Sequence, residues 1–196
     1  MREKKQNVFD DMIAAGEHLI ANRFCAPDRL AIQGGSNGGL LMAAVSQQRP
    51  DLFAAVVNRV GVLDMLRYHK FTIGAAWVPE YGDPDNKDDF RFIHKYSPLH
   101  QLQLPQDPIE WPATLLMTAE HDDRVVPAHT LKYSAQLQHL LRERFERDGG
   151  KERPPVIVRV EVKAGHGAGK PTTKLIEECV DMFGFLQRTV RLTWTD

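Results

Sequence analysis

Gly34-Gly35-Ser36-Asn37-Gly38-Gly39 follows the apolar run Leu30-Ala31-Ile32 and precedes the helix-forming run Leu40-Leu41-Met42-Ala43-Ala44-Val45. A serine in G-x-S-x-G between a strand and a helix is typical of a nucleophile elbow, the sharp turn that exposes a reactive oxygen. Glycines suit this turn because side chains beside Ser36 would collide with the neighbouring strand and helix. The helix also directs its positive end at the site, which favours developing negative charge. The alternative is a glycine-rich turn with an incidental serine.

Two later polar clusters could supply the acid and the base that such a serine needs. Glu120-His121-Asp122-Asp123-Arg124 follows the apolar strand Leu115-Leu116-Met117-Thr118-Ala119. Lys163-Ala164-Gly165-His166-Gly167-Ala168-Gly169 follows a predicted strand at 156–162. The order serine, acid, histidine is the one that accompanies a nucleophile elbow. Because open α/β sheets carry their sites at the carboxyl ends of the strands, the three clusters predict one catalytic triad.

The residues alone do not decide which aspartate is the acid of the triad. Asp122 and Asp123 are adjacent, only one of them can face the histidine, and the other could merely cap the following helix. His121 and the two aspartates could also form a metal cluster, but further ligands at a suitable spacing are not evident. We therefore predict no metal and no cofactor. His166 lies between glycines, which suits an exposed, tightly turned loop.

Four segments resemble the peptidase domain of the prolyl oligopeptidase family, from about Lys5 to the C-terminus. They are Gly34-Gly35-Ser36-Asn37-Gly38-Gly39, Gln48-Arg49-Pro50-Asp51-Leu52-Phe53, His121-Asp122-Asp123-Arg124-Val125-Val126-Pro127 and Lys163-Ala164-Gly165-His166-Gly167-Ala168-Gly169-Lys170-Pro171. The resemblance implies a serine-type endopeptidase that cleaves short peptides on the carboxyl side of proline. It implies Ser36 as nucleophile, Asp122 as acid, His166 as base and the Asn37 backbone amide as an oxyanion donor.

The resemblance also implies a pocket for the substrate proline. Trp77 matches the tryptophan on which the family stacks the proline ring, and Tyr81, Val62 and Val125 would close the pocket. Arg124 matches the arginine that holds a substrate carbonyl with its fixed fork of donors. The residues alone would favour ordinary core or surface aromatics in a loop-rich stretch.

The family enzyme has parts that these 196 residues do not match. The resemblance implies a single, partial α/β-hydrolase domain over 1–196 that lacks its N-terminal strands, and no 40–50-residue repeat indicates a β-propeller. A tyrosine hydroxyl of the family's oxyanion hole also has no match here. Two alternatives therefore stay open. One is a related serine hydrolase, such as a dipeptidyl peptidase or an esterase. The other is an inactive fragment that acts only by associating with the missing N-terminal part.

Composition and charge fit a globular protein of ordinary type. The chain is 42% hydrophobic and 26% charged, and its formal net charge of −1 gives no electrostatic reason to expect nucleic-acid or membrane partners. Two cysteines do not make a disulfide framework, and no apolar run reaches the roughly 20 residues of a membrane span. We predict short proline-containing peptides as partners and a cytoplasmic location.

Strands and helices alternate along the chain, which predicts an α/β fold with a mostly parallel sheet and helices on both faces. The predicted strands are 30–33, 54–60, 114–119 and 156–162. The predicted helices are 9–21, 37–48, 128–147 and 172–188. A helical excursion is predicted between the second and third strands, within a long irregular insert over 61–112. The charged stretch 142–155 is predicted to be an exposed loop.

Overall fold

The computed structural model describes residues 1–106, 109–151, 153–167 and 170–193. Four strands form one sheet: β1 (Ala31–Gly35), β2 (Ala55–Arg59), β3 (Ala113–Ala119) and β4 (Val156–Glu161). The helices are α1 (Gln6–Ala21), α2 (Asn37–Gln48), α3 (Val78–Tyr81), α4 (Lys87–Tyr96), α5 (Pro98–Gln101), α6 (Ala128–Arg147) and α7 (Thr172–Thr189). None of the helices in these ranges is both long and apolar enough to cross a membrane.

The sheet is parallel throughout and its strands follow chain order, β1-β2-β3-β4. Its register pairs Gly34 with Asn58, Asn58 with Leu116, and Leu116 with Val158. The segments that follow β1, β3 and β4 therefore meet at one edge of the sheet. Every residue of β3 is buried, as expected for a parallel strand that is covered on both faces.

Helices cover both faces of the sheet because side chains alternate along each strand. On β2, Val56 packs in one cluster with Phe9 of α1, whereas Val57 packs with Met182 of α7 on the opposite face. On β3, Leu116 packs with Leu137 of α6. The core therefore has two halves, with α7 on one side and α1, α2 and α6 on the other.

The structure confirms the predicted α/β architecture, including the bounds of α2 and α6. The helical excursion predicted between the second and third strands is present as α3, α4 and α5, so the insert over 61–112 is less irregular than predicted. Asn86 caps α4 by accepting hydrogen bonds from the backbone amides of Asp88 (2.9 Å) and Asp89 (3.2 Å).

The prediction of an exposed loop over 142–155 was wrong in part. Helix α6 extends to Arg147, and Arg144 is buried.

Candidate active site

Ser36 lies in a strained turn between β1 and α2. Its backbone has φ 57° and ψ −119°, a conformation that residues with a side chain rarely adopt. The Ser36 amide donates to the carbonyl of Arg59 (2.9 Å), and the Ser36 carbonyl accepts from the amides of Gly39 (3.0 Å) and Leu40 (3.2 Å). Strand β2 and the first turn of α2 thus hold Ser36 in this conformation, as a nucleophile elbow requires.

The glycines of this turn are not equivalent. A Cβ on Gly34 would lie 2.4 Å from the carbonyl oxygen of Gly38, and one on Gly39 would lie 2.5 Å from the Cα of Gly61. A Cβ on Gly38 would meet no atom within 4 Å. The expectation of steric crowding is therefore confirmed at Gly34 and wrong at Gly38. Close contact between β1 and α2 requires the first glycine of the motif, not the second.

Two alanine substitutions in this turn should have opposite effects on stability. Gly34→Ala forces backbone to shift and should cost about 1–3 kcal/mol of unfolding free energy. At about 2–4 °C per kcal/mol for a chain of this size, the melting temperature should fall by roughly 2–12 °C. Gly38→Ala replaces a poor helix former in open space and should leave the melting temperature unchanged or raise it slightly. Thermal unfolding followed by circular dichroism measures both, and equal losses would contradict the steric argument.

His166 and Asp122 form a short hydrogen bond beyond the ends of β4 and β3. His166 Nδ1 lies 2.7 Å from Asp122 Oδ2, and the Asp122 side chain is fully buried. Asp122 Oδ1 accepts from the backbone amides of Arg124 (3.0 Å) and Val125 (2.8 Å), whereas Asp123 is exposed. Because an ionised carboxylate only accepts, Nδ1 carries the proton in this bond and Nε2 of the neutral ring is free to accept one.

Backbone hydrogen bonds between the two loops fix this pair. The amide of His121 donates to the carbonyl of Ala164 (3.0 Å), and the amide of Glu120 donates to that of Glu161 (2.9 Å). Ala168 and Gly169, which belong to the sequence segment around His166, lie outside the described residues.

Ser36 and His166 line one cleft, but no hydrogen bond joins them within the part of the chain that the structure describes. Such bonds commonly tighten only when substrate binds.

The cleft has a volume of about 380 Å³. Its lining consists of Ser36, Asn37, Val62, Ile73, Trp77, Glu80, Tyr81, Arg124 and His166. Seven of the nine residues that the sequence assigned to the triad, the oxyanion site and the pocket therefore line this cleft. Asp122 does not line it but bonds to His166, which does. Val125 does not line the cleft but is buried in the core cluster that contains Val62 and Tyr81. Ile73 and Glu80 were not predicted from the sequence.

Aromatic rings form one wall of the cleft. Trp77 stacks on Tyr68 with ring centroids 6.3 Å apart, and Tyr81 meets both rings edge-on. Burial raises the pKa of Tyr81, and the charge of Glu80 raises it further, so its hydroxyl stays protonated. That hydroxyl donates to Asn37 Oδ1 at 2.8 Å. The wall offers a rigid, apolar surface of the kind that suits a flat aliphatic ring.

The geometry does not favour the alternative of a metal cluster at His121, Asp122 and Asp123. Both oxygens of Asp122 are already bonded, to His166 and to two backbone amides. Among the residues that the structure describes, ligand atoms converge instead at His69, Asp83 and Asp85. Lys70 already pairs with Asp85 there at 3.1 Å.

The chain matches known proteins over nearly its whole length. The sequence model of the prolyl oligopeptidase family matches residues 1–193. Prolyl oligopeptidase A of Amanita bisporigera is 47% identical over 100% of this chain and 24% of its own length. Prolyl endopeptidase of Dictyostelium discoideum is 47% identical over 97% of this chain and 24% of its own length.

Solved structures show the same relationship. A prolyl endopeptidase structure superimposes with a TM-score of 0.88 at 43% identity, over 98% of this chain and 27% of the other. A structure of prolyl oligopeptidase B of Galerina marginata, bound to a 35-residue substrate, superimposes with a TM-score of 0.88 at 39% identity. The match covers 99% of this chain and 26% of the other. This chain thus spans about a quarter of the relatives that it matches. With its elbow, its buried aspartate–histidine pair and these matches, the chain belongs to the prolyl oligopeptidase family.

Proposed function

We propose that this chain supplies the catalytic triad and the proline pocket of a serine peptidase that cleaves short peptides on the carboxyl side of proline. One observation carries the proposal. His166, which bonds to the buried Asp122, lines one cleft together with Ser36 in its strained turn and Trp77. The names of the relatives, prolyl oligopeptidases and prolyl endopeptidases, support the choice of substrate.

The proposed reaction is acyl transfer through a covalent intermediate. His166 Nε2 takes the proton of Ser36 as Oγ attacks the carbonyl carbon of the proline residue, and the resulting imidazolium is stabilised by Asp122. The carbonyl π electrons move onto the oxygen, which the Asn37 backbone amide and the N-terminus of α2 stabilise. His166 then protonates the leaving amine as the C–N bond breaks. Water, deprotonated by His166, attacks the ester carbonyl carbon. The bond between this carbon and Ser36 Oγ then breaks, His166 returns its proton to Oγ, and the peptide acid leaves.

We also propose that the sheet associates with the remainder of the same enzyme. β1 is an outer strand of the described sheet, so its hydrogen-bonding edge is available for pairing. One face of α7 exposes apolar side chains at Leu175, Ile176, Val180 and Phe183, which are 42–64% exposed. The segment of the relatives that this chain does not span, about three quarters of their length, would cover these surfaces and complete the oxyanion site.

A cytoplasmic location fits the cysteines. Cys25 and Cys179 are both free, as is usual where thiols are kept reduced. Fractionation of cells that express the protein would test this location, and recovery from the secreted fraction would contradict it.

Replacing Trp77 should reduce the preference for proline more than it reduces the chemistry. Trp77→Ala removes the flat apolar wall, so kcat/KM for a proline reporter peptide should fall by about 10- to 100-fold, mostly through KM. Turnover of the matching alanine reporter should change by less than about threefold, because alanine uses little of this surface. Trp77→Phe keeps an aromatic face and should retain most of the preference.

Steady-state kinetics on the paired reporters measure this effect. Equal losses on proline and alanine reporters would contradict the pocket assignment. Higher activity on reporters with a free amino terminus one residue before proline would favour a dipeptidyl peptidase. Activity on simple esters alone would favour an esterase.

A further inference from the structure

Lys5 is a buried lysine beside the candidate active site. Its side chain is 3% exposed, and its ammonium lies 3.1 Å from Asn37 Oδ1 and 3.2 Å from Glu80 Oε1. The ammonium also lies 5.0 Å from the centroid of the Tyr81 ring. Lysine is almost never fully buried unless it is paired, because removing its charge from water is costly. These contacts satisfy the charge with an anion, an amide oxygen and an aromatic ring.

All three partners of Lys5 line the cleft that contains Ser36. The most direct link is Asn37, whose Oδ1 accepts from Lys5 and also from the Tyr81 hydroxyl at 2.8 Å. These two donors come from segments 32 and 44 residues away in sequence. They hold the Asn37 side chain from two directions, and this residue begins α2 directly after the strained elbow.

Arg2, another cation of the N-terminal segment, does not contact the wall of the cleft. Arg2 binds both carboxylate oxygens of Asp89 at 2.7 Å and ties the segment to α4. Asp89 is not among the residues that line the cleft. Arg2 therefore has a purely structural contact, whereas Lys5 contacts the wall of the site. The two residues form a matched pair for experiment.

We propose that Lys5 is a positioning residue for the oxyanion site. Held by Glu80, its ammonium fixes the Asn37 side chain and with it the backbone amide that receives the developing negative charge. Donors stabilise an oxyanion strongly only when they are held in place before the reaction, so a restraint on Asn37 acts on the chemical step. The inference rests on the proposed peptidase function, since it assigns Lys5 a part in that same site.

The test compares Lys5→Met with Arg2→Met and Lys5→Arg. Removing an oxyanion donor itself costs about 10²–10³ in kcat, so loosening one should cost less, about tenfold. We expect Lys5→Met to lower kcat and the rate of fluorophosphonate labelling by about tenfold, with KM for the proline reporter changed by less than about twofold. Lys5→Arg keeps a cation and should recover most of the loss. Arg2→Met should stay within about twofold of the unmodified chain.

A double-mutant cycle with Asn37→Ala identifies the route of the effect. If Lys5 acts through the Asn37 side chain, Lys5→Met should add little to Asn37→Ala. The proposal would be overturned by any of three results. These are full additivity of the Lys5→Met and Asn37→Ala effects on kcat, an effect of Lys5→Met on KM alone, or equal losses of kcat in Lys5→Met and Arg2→Met. Melting temperatures measured alongside separate these outcomes from a general loss of folding.

A readout that needs no activity keeps this inference separate from the proposed function. In ¹⁵N-labelled protein, the side-chain amide resonances of Asn37 should shift on Lys5→Met and stay close to their original positions on Arg2→Met. If the chain neither cleaves nor labels, alone or with the complementary segment of the enzyme, the proposed function fails. The Asn37 resonances still decide whether Lys5 restrains this residue. Unchanged resonances in Lys5→Met would overturn the positioning role.

Discussion

Ser36→Ala should abolish labelling of this chain by a fluorophosphonate probe. The probe phosphorylates a serine oxygen only when a base removes its proton and donors stabilise the charged intermediate. Ser36 is the serine that adjoins His166 in the cleft. Intact-mass measurement of the purified protein should show one adduct per chain before substitution and none after it. Ser134→Ala, in α6, removes a hydroxyl that donates to the Leu131 carbonyl (3.0 Å) and should label fully.

The same measurement separates the open alternatives. Labelling that persists in Ser36→Ala would remove Ser36 as the nucleophile. A folded chain that does not label would show that these 196 residues alone do not assemble the site. Adding the complementary segment of the enzyme then tests the proposed association, because the edge of β1 and the apolar face of α7 would be covered. Labelling restored by that segment would support the association, and continued absence of labelling would contradict both proposals.

The layered α/β architecture could be predicted from the sequence more accurately than the structure of the insert between β2 and β3. Helix α2 begins directly after the glycine-rich turn and carries a long apolar run, so both its ends were visible in the sequence. The bounds of helix α4 were not predicted because most of its side chains are polar or charged. Its buried apolar residues are Ile93 and Tyr96. The signal available was Asn86 followed by Asp88 and Asp89, an N-cap with an acidic first turn.

The sequence motifs identified the candidate triad, but they could not show which of two adjacent aspartates is its acid. Asp122 and Asp123 differ only in what the fold places around them. The turn that follows β3 directs two backbone amides at Asp122 and leaves Asp123 exposed. Lys5 could not be found from local sequence at all, because its contacts to Asn37 and Glu80 span 32 and 75 residues.

Asp122→Asn should reduce kcat by about 10⁴-fold while leaving the fold intact. The reason lies in the three nitrogen atoms that contact this carboxylate. Two backbone amides, those of Arg124 and Val125, donate to Oδ1, so an asparagine must keep its oxygen there. Its NH₂ group then faces His166 Nδ1, where the carboxylate had accepted a hydrogen bond at 2.7 Å. Nδ1 must become the acceptor, which moves the ring proton to Nε2 and removes the base that Ser36 needs.

Asp123→Asn makes the same chemical change one residue away and provides the matched control. Asp123 is exposed, so its substitution should change kcat by less than about twofold and leave the melting temperature within about 1 °C. Labelling rates with the fluorophosphonate should follow kcat in both variants, because the probe depends on the same base. If the two variants lost activity equally, Asp122 would not be orienting His166. If Asp122→Asn retained full activity, the hydrogen bond between Asp122 and His166 would be structural, and another group would have to hold the imidazole in its reactive tautomer.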